Sequence, residues 1–141
     1  MSEPLYSIAI LRLATSSAAF PRLDRPATTV ERRSTACGGR ITVDVRLDAD
    51  GRVAAYGHEV RACALGQASA TLLARHIIGL DRAELASASV VLAQWLAVAD
   101  TAPPDWPNIE LLERARDYPA RHSAVRLAFE AAADAAARAA M

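Results

Sequence analysis

Two cysteines, Cys37 and Cys63, and three histidines, His58, His76 and His122, are the side chains whose types suit metal or sulfur chemistry. Cys37 is followed by Gly38-Gly39, where a backbone turns tightly and leaves a sulfur accessible. Cys63 stands at the start of a helical pattern, where unpaired N–H groups and the helix dipole favour negative charge. Two thiolates held side by side repel unless a cation or a proton lies between them. In a reducing compartment such a pair binds metal, handles sulfur or is simply buried, and a structural disulfide is not expected. Among the histidines, His122 is the candidate third ligand, because it falls in the first turn of the last predicted helix, just after Pro119. His58 alternates with Tyr56 and Val60 on a predicted strand and reads as a hydrogen-bonded sheet residue. His76 lies near the end of a predicted helix, where a cationic side chain suits the free carbonyls.

The elements that must position these groups follow from the hydrophobic pattern. Leu5, Ile8 and Leu11, with Ile10 and Leu13 beside them, predict a short amphipathic helix within Pro4–Ser16. Ser16–Ala27, with Pro21 and Pro26, reads as a crossing loop, and Thr28–Ala36 as a weakly patterned edge strand. Ile41, Val43, Val45 and Leu47 alternate with Arg40, Thr42, Asp44 and Arg46, the period of a half-buried strand. Asp48-Ala49-Asp50-Gly51 is turn chemistry, and Arg52–Ala62 resumes as a strand with Gly57 as a weak point or bulge. Pairing Leu47 with Arg52 across that turn brings Cys37 and Cys63 opposite each other, within one position, at the open end of the hairpin. The period then turns helical until Gly79, and Asp81 caps a further helix to about Val98. Thr101–Pro107 holds three prolines and is a loop; Ile109–Arg116 is a short helix, and Pro119 opens an Ala-rich terminal helix. This order predicts one α+β domain over residues 1–141: a three-stranded antiparallel sheet with helices packed on one face.

Composition narrows the function. The chain has 141 residues, and its sixteen basic residues are all arginine, balanced by sixteen acids. With no lysine, Schiff-base chemistry and the Gly-Lys-Ser/Thr phosphate loop are excluded. A net charge of zero argues against a nucleic-acid binder, and no stretch reaches the length of a membrane span. The acid and proline near the start do not resemble a signal peptide, so a cytoplasmic address is expected. Gly-x-Ser-x-Gly, His-Glu-x-x-His and Gly-x-Gly-x-x-Gly are all missing, and an enzyme in the ordinary sense is not expected. Thirty-three alanines against seven aromatic residues predict a core of small side chains between closely packed helices. Arg22, Arg25, Arg32, Arg33 and Arg40 crowd around the first strand, a basic patch beside Cys37 suited to steering an acidic partner.

Ala36-Cys37-Gly38-Gly39-Arg40, a hairpin, and then Ala62-Cys63-Ala64-Leu65-Gly66-Gln67-Ala68-Ser69-Ala70-Thr71 together resemble the U-type iron–sulfur cluster assembly scaffolds. That family places its first cysteine in Cys-Gly-Asp and its second before a helix written Cys-(x)4-Ala-Ser. Pro119-Ala120-Arg121-His122-Ser123-Ala124-Val125-Arg126-Leu127 is similar to the family's last motif, which carries a third cysteine. The resemblance implies cluster assembly on Cys37 and Cys63, with a cysteine desulfurase and apo acceptor proteins as partners. It also marks two departures: Ala124 stands where the third cysteine is expected, and Gly39 where the family has an aspartate ligand. His122 stands two positions before Ala124, not one, and is a substitute ligand by proximity.

Two thiolates and one imidazole make three ligands, a set that suits Zn²⁺ with an open fourth position, or a transient Fe–S cluster. A homodimer, each chain giving its cysteine pair, also completes a cluster site. Two other readings remain open: a sulfur acceptor carrying a persulfide on Cys63, and an interaction module that kept the fold and lost the chemistry.

Overall fold

A computed structural model describes residues 5–25, 28–34, 36 and 38–141 of the chain. Its elements are α1 (Ile8–Thr15), β1 (Thr28–Arg33), β2 (Arg40–Leu47), β3 (Val53–Arg61), α2 (Ala64–His76), α3 (Arg82–Ala97) and α4 (His122–Ala139). A 3-10 segment over Ile109–Asp117 takes the place of the short helix expected there, and a turn of 3-10 helix at Pro119–Arg121 leads into α4.

The strands form one antiparallel sheet in the order β1-β2-β3. Ile41, Val43 and Val45 are buried on the face that α4 covers, as the alternation requires. The register differs from the expected one. Leu47 opposes Val53 rather than Arg52, and the irregularity lies between Arg46 and Leu47 rather than at Gly57. Asp48 sets this turn: its Oδ1 accepts from the N–H groups of Asp50 and Arg52, and Gly51 takes a φ of +79°. From there the ladder runs regularly to Arg40 opposite Arg61.

Gly57 instead serves a close crossing. The segment from Phe20 to Leu23 passes over the reverse face of the sheet, and Phe20 accepts a bond from the His58 N–H. A Cβ at Gly57 would fall inside the contact distance of the Pro21 carbonyl and 3.0 Å from the Leu23 nitrogen. Asp44, its side chain fully buried, ties that segment down. It accepts from Arg22 Nε at 2.6 Å, the Leu23 N–H at 3.0 Å and Thr29 Oγ1 at 2.6 Å. Burial pushes the Asp44 carboxyl up, but these donors outweigh it and hold the group below the usual carboxylate range.

On the other face α4 is the centre of the domain, packed against β1 and β2 on one side and α2 and α3 on the other. Its buried stripe includes Ala124, Ala128, Ala131, Ala132, Ala135 and Ala136, small enough to let all four neighbours approach. The larger volume comes from Phe129, which meets the ring of Trp106 edge-on at 5.0 Å. Trp106 in turn donates its indole N–H to Leu72 O at 2.9 Å and so ties the proline-rich loop to α2. Asp81 caps α3, as expected, and Glu84 completes a capping box with it.

Candidate functional site

Three chain segments meet at the end of the sheet where the ladder stops. The first is the loop from β1 to β2. Ser34 donates its N–H to Gly39 O at 2.8 Å, and Gly38 donates back to Ser34 O at 3.1 Å. Gly38 has a φ of +72°, a conformation that a residue with a Cβ adopts only under strain. Cys37 belongs to this loop by sequence, but it lies outside the described residues.

The second segment is the corner from β3 into α2. Cys63 is the N-cap of α2, half-buried, with its backbone extended and its carbonyl accepting from Gln67 N. Its side chain makes no capping hydrogen bond, and among the described residues its thiol is free. The third is the start of α4. Ser123 Oγ lies 2.8 Å from Ser34 Oγ, which is buried at the end of β1. Ala124, only 1% exposed, faces the first turn of α2, so that a Cβ on Gly66 would sit 3.9 Å from the Ala124 Cβ. A Cβ on Gly39 would likewise sit 3.5 Å from the Ala62 Cβ.

Two close approaches and one hydrogen bond outline a triangle. Loop to corner runs through Gly39 and Ala62, corner to α4 through Gly66 and Ala124, and α4 to loop through Ser123 and Ser34. The position where a third cysteine was expected therefore stands beside the helix turn that Cys63 caps. Alanine there fills the space without offering a donor atom.

His122, at the same helix start, donates its Nε2–H to the carbonyls of Ala115 at 3.0 Å and Arg116 at 3.2 Å. Nδ1 is the ring nitrogen left facing away from these carbonyls, and a backbone carbonyl behind a ring nitrogen is the common support of a metal-binding imidazole. Among the described residues no three His, Cys, Asp or Glu side chains form a metal-holding group. His58 is placed as expected, inside the fold and away from the triangle. Its Nδ1 accepts from Tyr56 OH at 3.0 Å and its Nε2 donates to Ser17 O at 2.7 Å. Burial lowers its pKa, against a smaller opposing effect of the Ser17 carbonyl. His76 lies against Trp106, ring to ring at 6.5 Å.

The basic patch is rearranged. Arg22 is committed to Asp44, and Arg32 reaches Asp134 of α4 at 4.0 Å. The Ser34–Ser123 contact was not readable beforehand, because nothing local to either serine signals a partner 89 residues away.

No family model matches the chain. It is similar to the iron-sulfur cluster assembly scaffold protein IscU of Thermotoga maritima, with 30% identity over 127 residues, 89% of this chain and 88% of that protein. Among solved structures it is similar to the N-terminal part of a nitrogen-fixing NifU-like protein from Brucella abortus. The TM-score is 0.87, the identity is 34%, and the match covers 96% of this chain and 93% of that one. A scaffold-protein structure for the SUF system from Fervidobacterium islandicum shares the fold at 18% identity, with a TM-score of 0.83 over 94% of this chain and 96% of that one. No helix among the described residues is long and apolar enough to cross a membrane.

Proposed function

The chain belongs to the iron–sulfur cluster assembly scaffold family, and from that premise we propose that it holds a nascent cluster on Cys37 and Cys63 while a cysteine desulfurase supplies sulfur. The observation that carries this reading is the convergence of three segments, the β1–β2 loop that contains Cys37 in sequence, the Cys63 corner and the start of α4. Two thiolates supply the soft donors that iron–sulfur clusters prefer, and the Nδ1 of His122, at the start of α4, is the candidate nitrogen donor. With Ala124 in place of a thiol the set is short by one ligand, which leaves a coordination position for a donor from the desulfurase, a second copy or an acceptor protein. Under-coordination suits cargo that must leave. The same set would take Zn²⁺ with water as its fourth ligand. Anaerobic incubation with iron, sulfide and desulfurase tests the reading: the wild type acquires a thiolate-to-iron absorption band, and Cys37→Ala and Cys63→Ala do not.

A second reading is supported by the free, half-buried thiol of Cys63 at the α2 N-cap. Here the Cys63 thiolate attacks the outer sulfur of a desulfurase persulfide. A new S–S bond forms on Cys63, the donor's S–S bond breaks, and the donor leaves as a thiolate. Mass spectrometry of the non-reduced protein would show one added sulfur atom on Cys63. A Cys63→Ser protein that gains the same mass would exclude this reading.

A further inference from the structure

The register of the sheet aligns three arginines that the sequence scatters. Arg33 opposes Arg40 and Arg40 opposes Arg61, so the three side chains leave the same face, side by side across all three strands. Neighbouring strands are about 4.8 Å apart, which makes the row roughly 10 Å wide. It is the last row of the ladder, two residues before Cys63 and three after Cys37. Like charges placed directly opposite one another destabilise a sheet, and here the penalty is incurred twice.

The next row along the same face is Glu31, Thr42 and Glu59. Each glutamate relieves the outer arginine of its own strand, Arg33 to Glu31 at 3.2 Å and Arg61 to Glu59 at 3.4 Å. The central Arg40 has threonine behind it and no ion pair among the described residues. The outer two side chains remain 69% and 67% exposed. Farther along this face the Phe20–Leu23 segment covers the sheet over Asp44 and Gly57, while Arg33 and Arg61 stay exposed at the end of the ladder.

We infer that Arg33, Arg40 and Arg61 form a docking row for an acidic segment of a protein partner, which places a carboxylate on Arg40 and so brings that partner to Cys63. Guanidinium groups receive carboxylates through paired N–H bonds, and a row of this width takes two or three of them. A nucleic acid needs a longer basic track, and Glu31 and Glu59 would stand against its phosphates. The chain's net charge of zero removes any general attraction for polyanions.

The inference shares its location with the proposed function but is tested separately from it. Amide chemical shifts of the labelled protein are followed at low salt during titration with a short Glu-rich peptide, its Lys-rich counterpart, and an RNA oligonucleotide of equal charge. The expected result is peptide-induced shifts centred on residues 33, 40 and 61, with none from the Lys-rich peptide. Arg40→Gln weakens the Glu-rich peptide about threefold and Arg33→Gln/Arg40→Gln/Arg61→Gln about tenfold or more. Arg52→Gln/Arg75→Gln/Arg82→Gln, with the same loss of charge elsewhere, leaves the affinity unchanged. Equal weakening in both triple variants, shifts centred elsewhere, or stronger binding of the RNA at this row would overturn the inference. Both triple variants are checked by thermal melting, and Arg40→Gln alone decides if the row triple fails to fold. Cluster uptake with iron and sulfide is measured on the same proteins, so loss of peptide binding with normal uptake separates this inference from the scaffold reading.

Discussion

Ser34 Oγ and Ser123 Oγ lie 2.8 Å apart, a contact that joins the end of β1 to the start of α4 across 89 residues of sequence. It is buried on the Ser34 side and completes the triangle that frames Cys63. The hydroxyl pair thus fixes the base of the Cys37 loop against the helix that carries His122. Replacing Ser123 by alanine should cost about 1 kcal/mol, the usual worth of such a bond. Urea melts measure that cost, and reconstituted Ser123→Ala should lose its cluster faster than wild type to a chelator. An unchanged melt and an unchanged release rate would show that the contact has no positioning role.

Restoring a thiol at Ala124 tests the missing ligand. The residue is buried against the first turn of α2, so Ala124→Cys adds one sulfur atom to a packed site, at about 1–2 kcal/mol of stability. In return it supplies a third thiolate on the α4 side. The expected outcome is a cluster that survives gel filtration longer than in wild type, read from the visible absorption of the eluted protein.

Gly57→Ala should be among the most damaging single-methyl changes in the chain. The added carbon has no room beneath the Pro21 carbonyl, and both β3 and the crossing segment are held by other bonds. Overpacking of this kind costs about 1–3 kcal/mol, so a fall of several degrees in Tm is expected by calorimetry. Asp44→Ala should cost roughly 2–3 kcal/mol, because it leaves the Leu23 N–H and Thr29 without their shared acceptor.

Stability should fall in two acid steps. The native pKa of His58 is lowered, so its contribution is complete above the ordinary histidine value of about 6.5 and declines as pH falls below it. Asp44 is also lowered, so its contribution holds above the ordinary aspartate value of about 3.9 and is lost as pH falls through the native one. Urea melts at a series of pH values check this: His58→Gln should flatten the first step and Asp44→Asn the second.

Much of this fold is legible in the residues. Strict alternation from Arg40 to Leu47 marks β2 to the residue, and Asp81 marks the start of α3. The register was misread because Asp48 reaches forward to two N–H groups and adds a residue to the turn, a geometry the Asp-Gly pattern does not distinguish. Asp44 occupies a polar position in that alternation and reads as solvent-facing. Its burial depends on a loop that folds back over the sheet, and no local periodicity signals such a crossing. In the site, the placement of Cys63 before α2 follows from the change of period. Arg33 and Arg40 belong to the basic patch that the sequence marks, but Arg61 joins them only through the register of β2 with β3.

Whether Cys37 and Cys63 together hold the cluster is decided by anaerobic reconstitution with iron, sulfide and cysteine desulfurase, read by iron content per chain and visible absorption. Wild type should bind iron and sulfide, with Cys37→Ala and Cys63→Ala each reducing retention at least tenfold, as loss of one ligand from so small a set implies. A wild-type protein that takes up neither, or two cysteine variants that retain as much as wild type, would rule out a cluster held by this cysteine pair.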